Sequence, residues 1–396
     1  MQRSGGSAAG EPRALSGGRH DHPVEYVSIE DAARAPREGI AVCLSGGGYR
    51  AMLFHAGGLL RLAEAGLLAR VSRVSSVSAG SITAAVLALA WDRCRLNEPR
   101  GAGERFVRHV VAPLLALAAR TLDVPAALLG LFGPGPANAW LAGALDRHLF
   151  RRRTLSDLPD EPEFVFNATN LCTGDLFLFR KGRTGDYRVG AASGARLPVS
   201  GAVAASAAFP PFLSPAVPAL GTGGLARRGR EPLHREPYVS HPVLTDGGVY
   251  DNLGLEAAWK RFRTVIASDG GSRLEPDPSP PRDWPRHMLR VVEVIDHQVR
   301  TMRKRLLLAH FERGTRRGAY WSIRGDARDY APSPHLPCPL PRTIALARLP
   351  TRLKRLDPAI RSRLVNWGYA MADAAVRRFV LPDLPAPRRF PCAGGV

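Results

Sequence analysis

The sequence predicts an α/β fold, with a parallel central sheet covered by helices. Three observations carry that expectation. Short apolar, β-branched runs of strand length recur along the first half of the chain. The first two of these runs each end in a glycine- or serine-rich turn. A helix-length segment with apolar residues at helical spacing then follows each turn, and strand–loop–helix repeated in this way is the βαβ pattern.

Taken in order, residues 1 to about 35 are small and polar without periodicity and read as a flexible tail. Gly39 to Leu44 reads as a buried strand. After Gly46, Gly47 and Gly48, the residues Ala51, Leu53, Phe54, Leu59, Leu60 and Leu62 predict a helix that stops at Gly66. Val71 to Val77 is a second strand and Ala79 to Trp91 a second helix. From Glu104 to Phe150 the pattern is helical, with breaks around Gly130 to Pro136. Phe164 to Thr169 and Leu176 to Arg180 read as strands, and Val199 to Ala208 as a short helix ended by Pro210 and Pro211. Gly221 to Pro237 is loop-like. Val243 to Thr245 and Thr264 to Ser268 are strand-like, Glu275 to Pro285 is a proline-rich connector, and His287 to Gly318 is a long basic helical stretch. The whole divides into the tail, a single domain over 36–385 with a helical C-terminal part, and a C-terminal tail over 386–396.

The formal net charge of +20 favours contact with anionic surfaces, nucleic acid or lipid; a solvated, arginine-rich surface accounts for it equally. Aromatic residues are few in the basic runs and no nucleic-acid-binding motif is present, so no nucleic acid is expected as a partner. Cys43, Cys94, Cys172, Cys338 and Cys392 are scattered and odd in number, which argues against a disulfide framework and a zinc site and fits a reducing, cytoplasmic compartment. No secretory signal is visible in residues 1–20, and no run reaches the roughly 18 apolar residues of a membrane span.

Three segments bear chemistry. In the first, Gly46-Gly47-Gly48-Tyr49-Arg50 joins a strand to a helix, where unpaired N–H groups and the helix dipole favour an anion. The same glycines suit a plain turn. In the second, Ser76-Val77-Ser78-Ala79-Gly80 has small residues two before and two after Ser78, as a tight strand–turn–helix elbow needs, with the Ala79 N–H facing the same space. A serine-rich helix cap is the alternative. In the third, Asp246-Gly247-Gly248 follows a strand, and its carboxylate either accepts a serine proton or makes an Asx turn. All three lie at the C-terminal ends of predicted strands, the rim where open α/β sheets bind ligands. Together they supply the roles that acyl transfer needs. No histidine is equally well placed: His55 falls on the first helix and His241 just before the Asp246 strand.

In chain order and spacing these segments resemble the patatin-like phospholipases, relatives of the cytosolic phospholipases. The family pattern is a GGGxR loop, a GxSxG elbow and a later DG[GA]. "NATNLCTGDLFLF" from Asn167 and "AVAASAAFPPFLSPAV" from Ala202 are also similar to family segments, and the resemblance covers roughly residues 38–325. It implies a three-layer, modified α/β-hydrolase-like fold with a mostly parallel sheet. It also implies a lipid acyl hydrolase with Ser78 as nucleophile and Asp246 as base. Gly46, Gly47, Gly48 and Ala79 would form the oxyanion hole, supported by Arg50, Ser76, Gly80, Gly247 and Gly248. Arg50 would hold the loop or neutralise a substrate phosphate. The sequence departs from the family pattern twice: Ser45 stands where many members carry aspartate, and Ser76 replaces the first elbow glycine.

The chemistry so implied calls for no metal or cofactor. The expected partner is a phospholipid or other lipid ester, with peripheral membrane contact through basic and apolar surface. Apolar residues between Val110 and Leu145 suit an acyl channel or lid, and equally core helices. Arg300 to Arg317 reads first as a solvated face with Leu306, Leu307 and Phe311 turned to the core, with contact to anionic headgroups as the alternative. Acyl transfer to an acceptor other than water, and a non-catalytic lipid-binding scaffold, are the alternative functions.

Overall fold

In a computed structural model of the chain, the described residues are 36–193, 196–220, 224–227, 231–330 and 334–396. The predicted N-terminal tail lies outside them. The first half follows the expected alternation. Strand β1 (Arg37–Leu44) leads through the glycine loop into α1 (Gly48–Glu64); β2 (Val71–Val77) leads through one residue into α2 (Ala79–Cys94). A helical region follows, with α3 (Ala102–Phe106), α4 (Ala112–Leu117), α5 (Asp123–Phe132) and α6 (Ala137–Leu145). Next come β3 (Glu163–Asn170), β4 (Asp175–Phe179), β5 (Arg183–Asp186), β6 (Gly190–Ser193), α7 (Val199–Ser206), β7 (Leu244–Asp246), α8 (Gly248–Asp251) and β8 (Phe262–Asp269). The chain ends with α9 (Trp284–Glu312), β9 (Arg317–Ser322), α10 (Leu340–Ala347) and α11 (Pro358–Phe379).

Among the described residues the sheet has nine strands in the order β6-β5-β4-β3-β2-β1-β8-β9, with β7 beside β3. The run β3-β2-β1-β8-β9 is parallel, and β4, β5, β6 and β7 are antiparallel. The parallel strands β1 and β2 are buried along most of their length, because helices lie on both faces. One feature of the register positions the site. Strand β2 pairs with β3 as far as Val77↔Asn167, and β7 then takes over the same edge of β3 from the opposite direction, with Asp246↔Ala168. The C-terminal ends of β2 and β7 therefore meet head to head.

The structure adds to the sequence reading and departs from it in several places. Strands β5 and β6 are short and rich in glycine and alanine, and lack the alternation that marks a strand. The basic helix ends at Glu312, and Arg317 and Gly318 open β9 instead. Leu307 is buried as expected, but Leu306 is exposed and Phe311 only partly covered. The helical region is mixed: Val110, Leu114, Leu117, Leu141 and Leu145 are core, whereas Leu128, Leu131 and Phe132 at the end of α5 are exposed. Residues 386–396 are no loose tail. Asn366 of the buried α11 donates to the carbonyls of Cys392 and Gly395 at 2.9 and 2.7 Å, and Val396 is buried.

Candidate active site

Ser78 is the single residue between β2 and α2, with φ 54° and ψ −126°. A non-glycine residue at positive φ costs about 1–3 kcal/mol and persists only where its surroundings hold it. Here the surroundings are hydroxyls. The Ser78 N–H donates to Ser206 Oγ at 3.0 Å, and Ser206 Oγ donates in turn to the Asn167 carbonyl at 2.6 Å. Ser76 Oγ donates to the Val165 carbonyl at 3.1 Å. With those two protons committed, the Ser81 hydroxyl lies 3.0 Å from Ser76 Oγ and 2.9 Å from Ser206 Oγ, and its single proton is shared between these two acceptors. Ser76 thus fills the place of the first elbow glycine with a hydroxyl that ties β2 to β3. Glycine is retained at position 80, where a Cβ would lie 2.6 Å from the Ser45 carbonyl.

Asp246 ends β7 and is buried. Its Oδ1 accepts the Gly248 N–H at 2.7 Å, an Asx-type turn, and its backbone is held by Ala208 and Thr169. Of the two sequence readings, the Asx turn is formed. The carboxylate makes the turn through Oδ1, while its Oδ2 is buried without a hydrogen-bond partner among the described residues. Burial raises its pKa to about 7, against the opposing pull of the Gly248 N–H and the Ser78 hydroxyl.

The glycine loop lies beside Ser78. Gly47 has φ 142° and Gly48 φ 63°, both in the region that side chains disfavour. A Cβ on Gly48 would also sit 2.6 Å from the Arg352 backbone, because residues 349–353 cross the loop at this point. Tyr49 N–H donates to the Arg352 carbonyl at 3.0 Å. Among the described residues, the N–H groups of Gly47, Gly48 and Ala79 have no acceptor in the chain. Gly46 differs from the expectation placed on it: its N–H is already donated to Asn252, to the side-chain oxygen at 3.0 Å and the carbonyl at 3.1 Å.

Arg50 is buried, and all three of its nitrogens donate to the chain: Nε to Gly270 O at 3.0 Å, Nη1 to Leu349 O and Nη2 to Thr351 Oγ1 at 3.0 Å. The geometry is that of a residue holding the loop. Burial lowers its pKa to about 10, which leaves it charged at neutral pH. Ser45 heads the loop, where its Oγ accepts the Gly270 N–H at 2.8 Å and donates to the Gly46 carbonyl at 3.0 Å. His55 lies beneath. Its Nε2 is 2.9 Å from the Ser45 carbonyl, which can only accept, so Nε2 carries the proton and Nδ1 accepts from Ser268 Oγ at 2.8 Å. Burial lowers its pKa to about 4, so the ring is neutral. His241 is exposed and bonds to Ser240, away from these groups.

Ser206, Asn167 and Asn252 all lie in segments whose chemistry is legible in sequence, yet nothing local marks their roles. Their partners are 128, 91 and 206 residues away.

A family model described as patatin-like phospholipase matches residues 42–259, more than half of the chain and inclusive of Ser78 and Asp246. Among solved structures, the chain is similar to human GIVD cytosolic phospholipase A2 in complex with methyl gamma-linolenyl fluorophosphonate. That match has 16% identity over 87% of this chain and 57% of that one, with a TM-score of 0.47. A second structure of the human protein matches at 16% identity over 61% and 47% of the two chains, with a TM-score of 0.41. VipD from Legionella pneumophila matches at 13% identity over 85% and 66%, with a TM-score of 0.33. The chain spans about half the length of the human protein chains it matches. No curated protein sequence matches it.

Proposed function

Because the chain belongs to the patatin-like phospholipase family, we propose that it hydrolyses carboxylic esters of lipids through an acyl-enzyme formed on Ser78. The observation that carries this reading is the head-to-head meeting of β2 and β7, with a strained serine at one strand end and a buried carboxylate at the other. Ser78 Oγ attacks the ester carbonyl carbon and its proton passes to Asp246. A carboxylate with its pKa near 7 is a competent base at neutral pH, where an ordinary aspartate is too weak. The oxyanion takes hydrogen bonds from the N–H groups of Gly47, Gly48 and Ala79, and donors of this kind are worth about 3 kcal/mol each to the transition state. The carbonyl–oxygen bond of the leaving alcohol then breaks, and the alcohol takes the proton from Asp246. Water, deprotonated by the same carboxylate, attacks the acyl carbon and restores Ser78.

A fluorophosphonate probe tests the assignment. Wild-type protein is expected to take the label and to turn over a p-nitrophenyl acyl ester. Ser78→Ala should do neither, and Asp246→Asn should lose about 1,000-fold or more in kcat. Wild-type protein that takes no label and turns over no ester is a scaffold, and the reading fails.

A further inference from the structure

Helix α9 is 29 residues long, yet only Arg300 and Leu307 of it are buried. Asp283 caps its N-terminus by accepting the Arg286 N–H at 3.1 Å. Its inner face is defined by four residues. Asp296 accepts from Asn252, Arg300 donates to the Ser272 carbonyl, Arg303 pairs with Glu256, and Leu307 packs in a small core with Leu253 and Phe262. At about 100° per residue these four fall on one arc. A second arc, about a quarter to a third of a turn away, holds Trp284, Met288, Ile295, Met302 and Leu306. All five are exposed, Trp284 at 78%, Met302 at 68% and Ile295 at 55%. The stripe runs about 33 Å along the helix.

We propose that this stripe is an in-plane anchor that seats the protein on an anionic lipid bilayer. A helix with a long exposed apolar stripe and cations near it lies in a bilayer surface, and a tryptophan at its end suits the headgroup level. Arg305 lies beside the stripe and Arg313 at its C-terminal end, both exposed and without an ion pair among the described residues. The net charge of +20 is complementary to an anionic surface and opposes a second copy of the same chain in that place. No helix among the described residues is long and apolar enough to cross a membrane, so the contact is with the surface. The helix reaches the candidate site on its inner face: Asn252 receives the Gly46 N–H and donates to Asp296 at 3.2 Å. The outer stripe thereby holds the glycine loop close to the layer that would supply lipid esters. The proposal rests on the reading of Ser78 and Asp246 for its purpose, and its test is kept separate from their chemistry.

The test is sedimentation with vesicles of phosphatidylcholine alone and of phosphatidylcholine with added phosphatidylglycerol, using Ser78→Ala protein so that no lipid is consumed. Binding is expected to the anionic vesicles and to weaken with added salt. In the same background, Ile295→Glu with Met302→Glu should weaken binding by about tenfold or more. Both positions are exposed, so circular dichroism should be unchanged. With Ser78 restored, turnover of a soluble p-nitrophenyl ester should match the wild type. Failure of the dyad reading would show in that ester assay and not in the sedimentation. Absence of vesicle binding, binding untouched by the two glutamates, or a monomer–dimer equilibrium abolished by them would each overturn the proposal.

Discussion

Ser206 Oγ receives the backbone N–H of Ser78 at 3.0 Å, from a helix more than a hundred residues further along the chain. The contact holds the strained φ of Ser78 without touching its side chain. Ser206→Ala removes the acceptor and leaves the N–H and the Asn167 carbonyl unpaired. The expected result is a fall in kcat of about tenfold with KM little changed, together with a loss of about 1–2 kcal/mol of stability. Ser206→Thr, which keeps the hydroxyl, should recover most of kcat. A merely structural role would lower the amount of folded protein and leave the kcat of the folded fraction unchanged.

Asp246 supplies a pH signature. In the proposed mechanism its carboxylate form is the base, and burial raises its pKa to about 7. Below that pH, kcat/KM should fall about tenfold per unit, with a single proton taken up. The sign for stability is opposite. A carboxyl whose pKa is raised on folding contributes most below its unfolded value near 3.8, and that contribution is lost as pH rises through about 7. Asp246→Asn should therefore lose most activity yet be more stable than the wild type at pH 8, by up to about 4 kcal/mol in denaturant titration.

His55 should leave no mark on that profile. With its pKa lowered to about 4 by burial and both ring nitrogens engaged, it is neutral throughout the working range and takes no proton from Ser78. His55→Ala deprives Ser268 and the Ser45 carbonyl of partners and opens a cavity under the glycine loop. Thermal melts should show a loss of about 2–4 kcal/mol, and the pH midpoint of residual activity should not move.

Gly48 tests the loop itself. A Cβ there meets the Arg352 backbone at 2.6 Å and sits at φ 63°, so Gly48→Ala must move either the loop or residues 349–353. The expected result is a drop in kcat of about 100-fold, from displaced N–H donors. Arg352→Ala keeps the backbone that lies on the loop and loses only the ion pair to Asp123, so it should retain most activity.

Much of the fold was legible because the first half of the chain obeys local rules. Val71–Val77 matches its sequence assignment end to end, and α2 starts at Ala79 as read. What escaped was non-local. Strands β5 and β6 exist through pairing rather than pattern. Strand β9 hides at the end of a basic run. In the site, Ser78, Asp246 and the glycines stand in motifs because backbone geometry demands particular residues there. Ser206 and Asn252 are ordinary polar residues until folding brings them to Ser78 and Gly46.

The crossing of the glycine loop by residues 349–353 bears on where this protein can be cut. The family match ends at residue 259, some ninety residues before the segment on which Tyr49 and Arg50 hang their hydrogen bonds. A fragment trimmed to the match would retain the Ser78 and Asp246 side chains and lose the clasp that shapes the loop beside them. Ancestry and cooperativity draw different borders here, and expression of the minimal unit should follow the second.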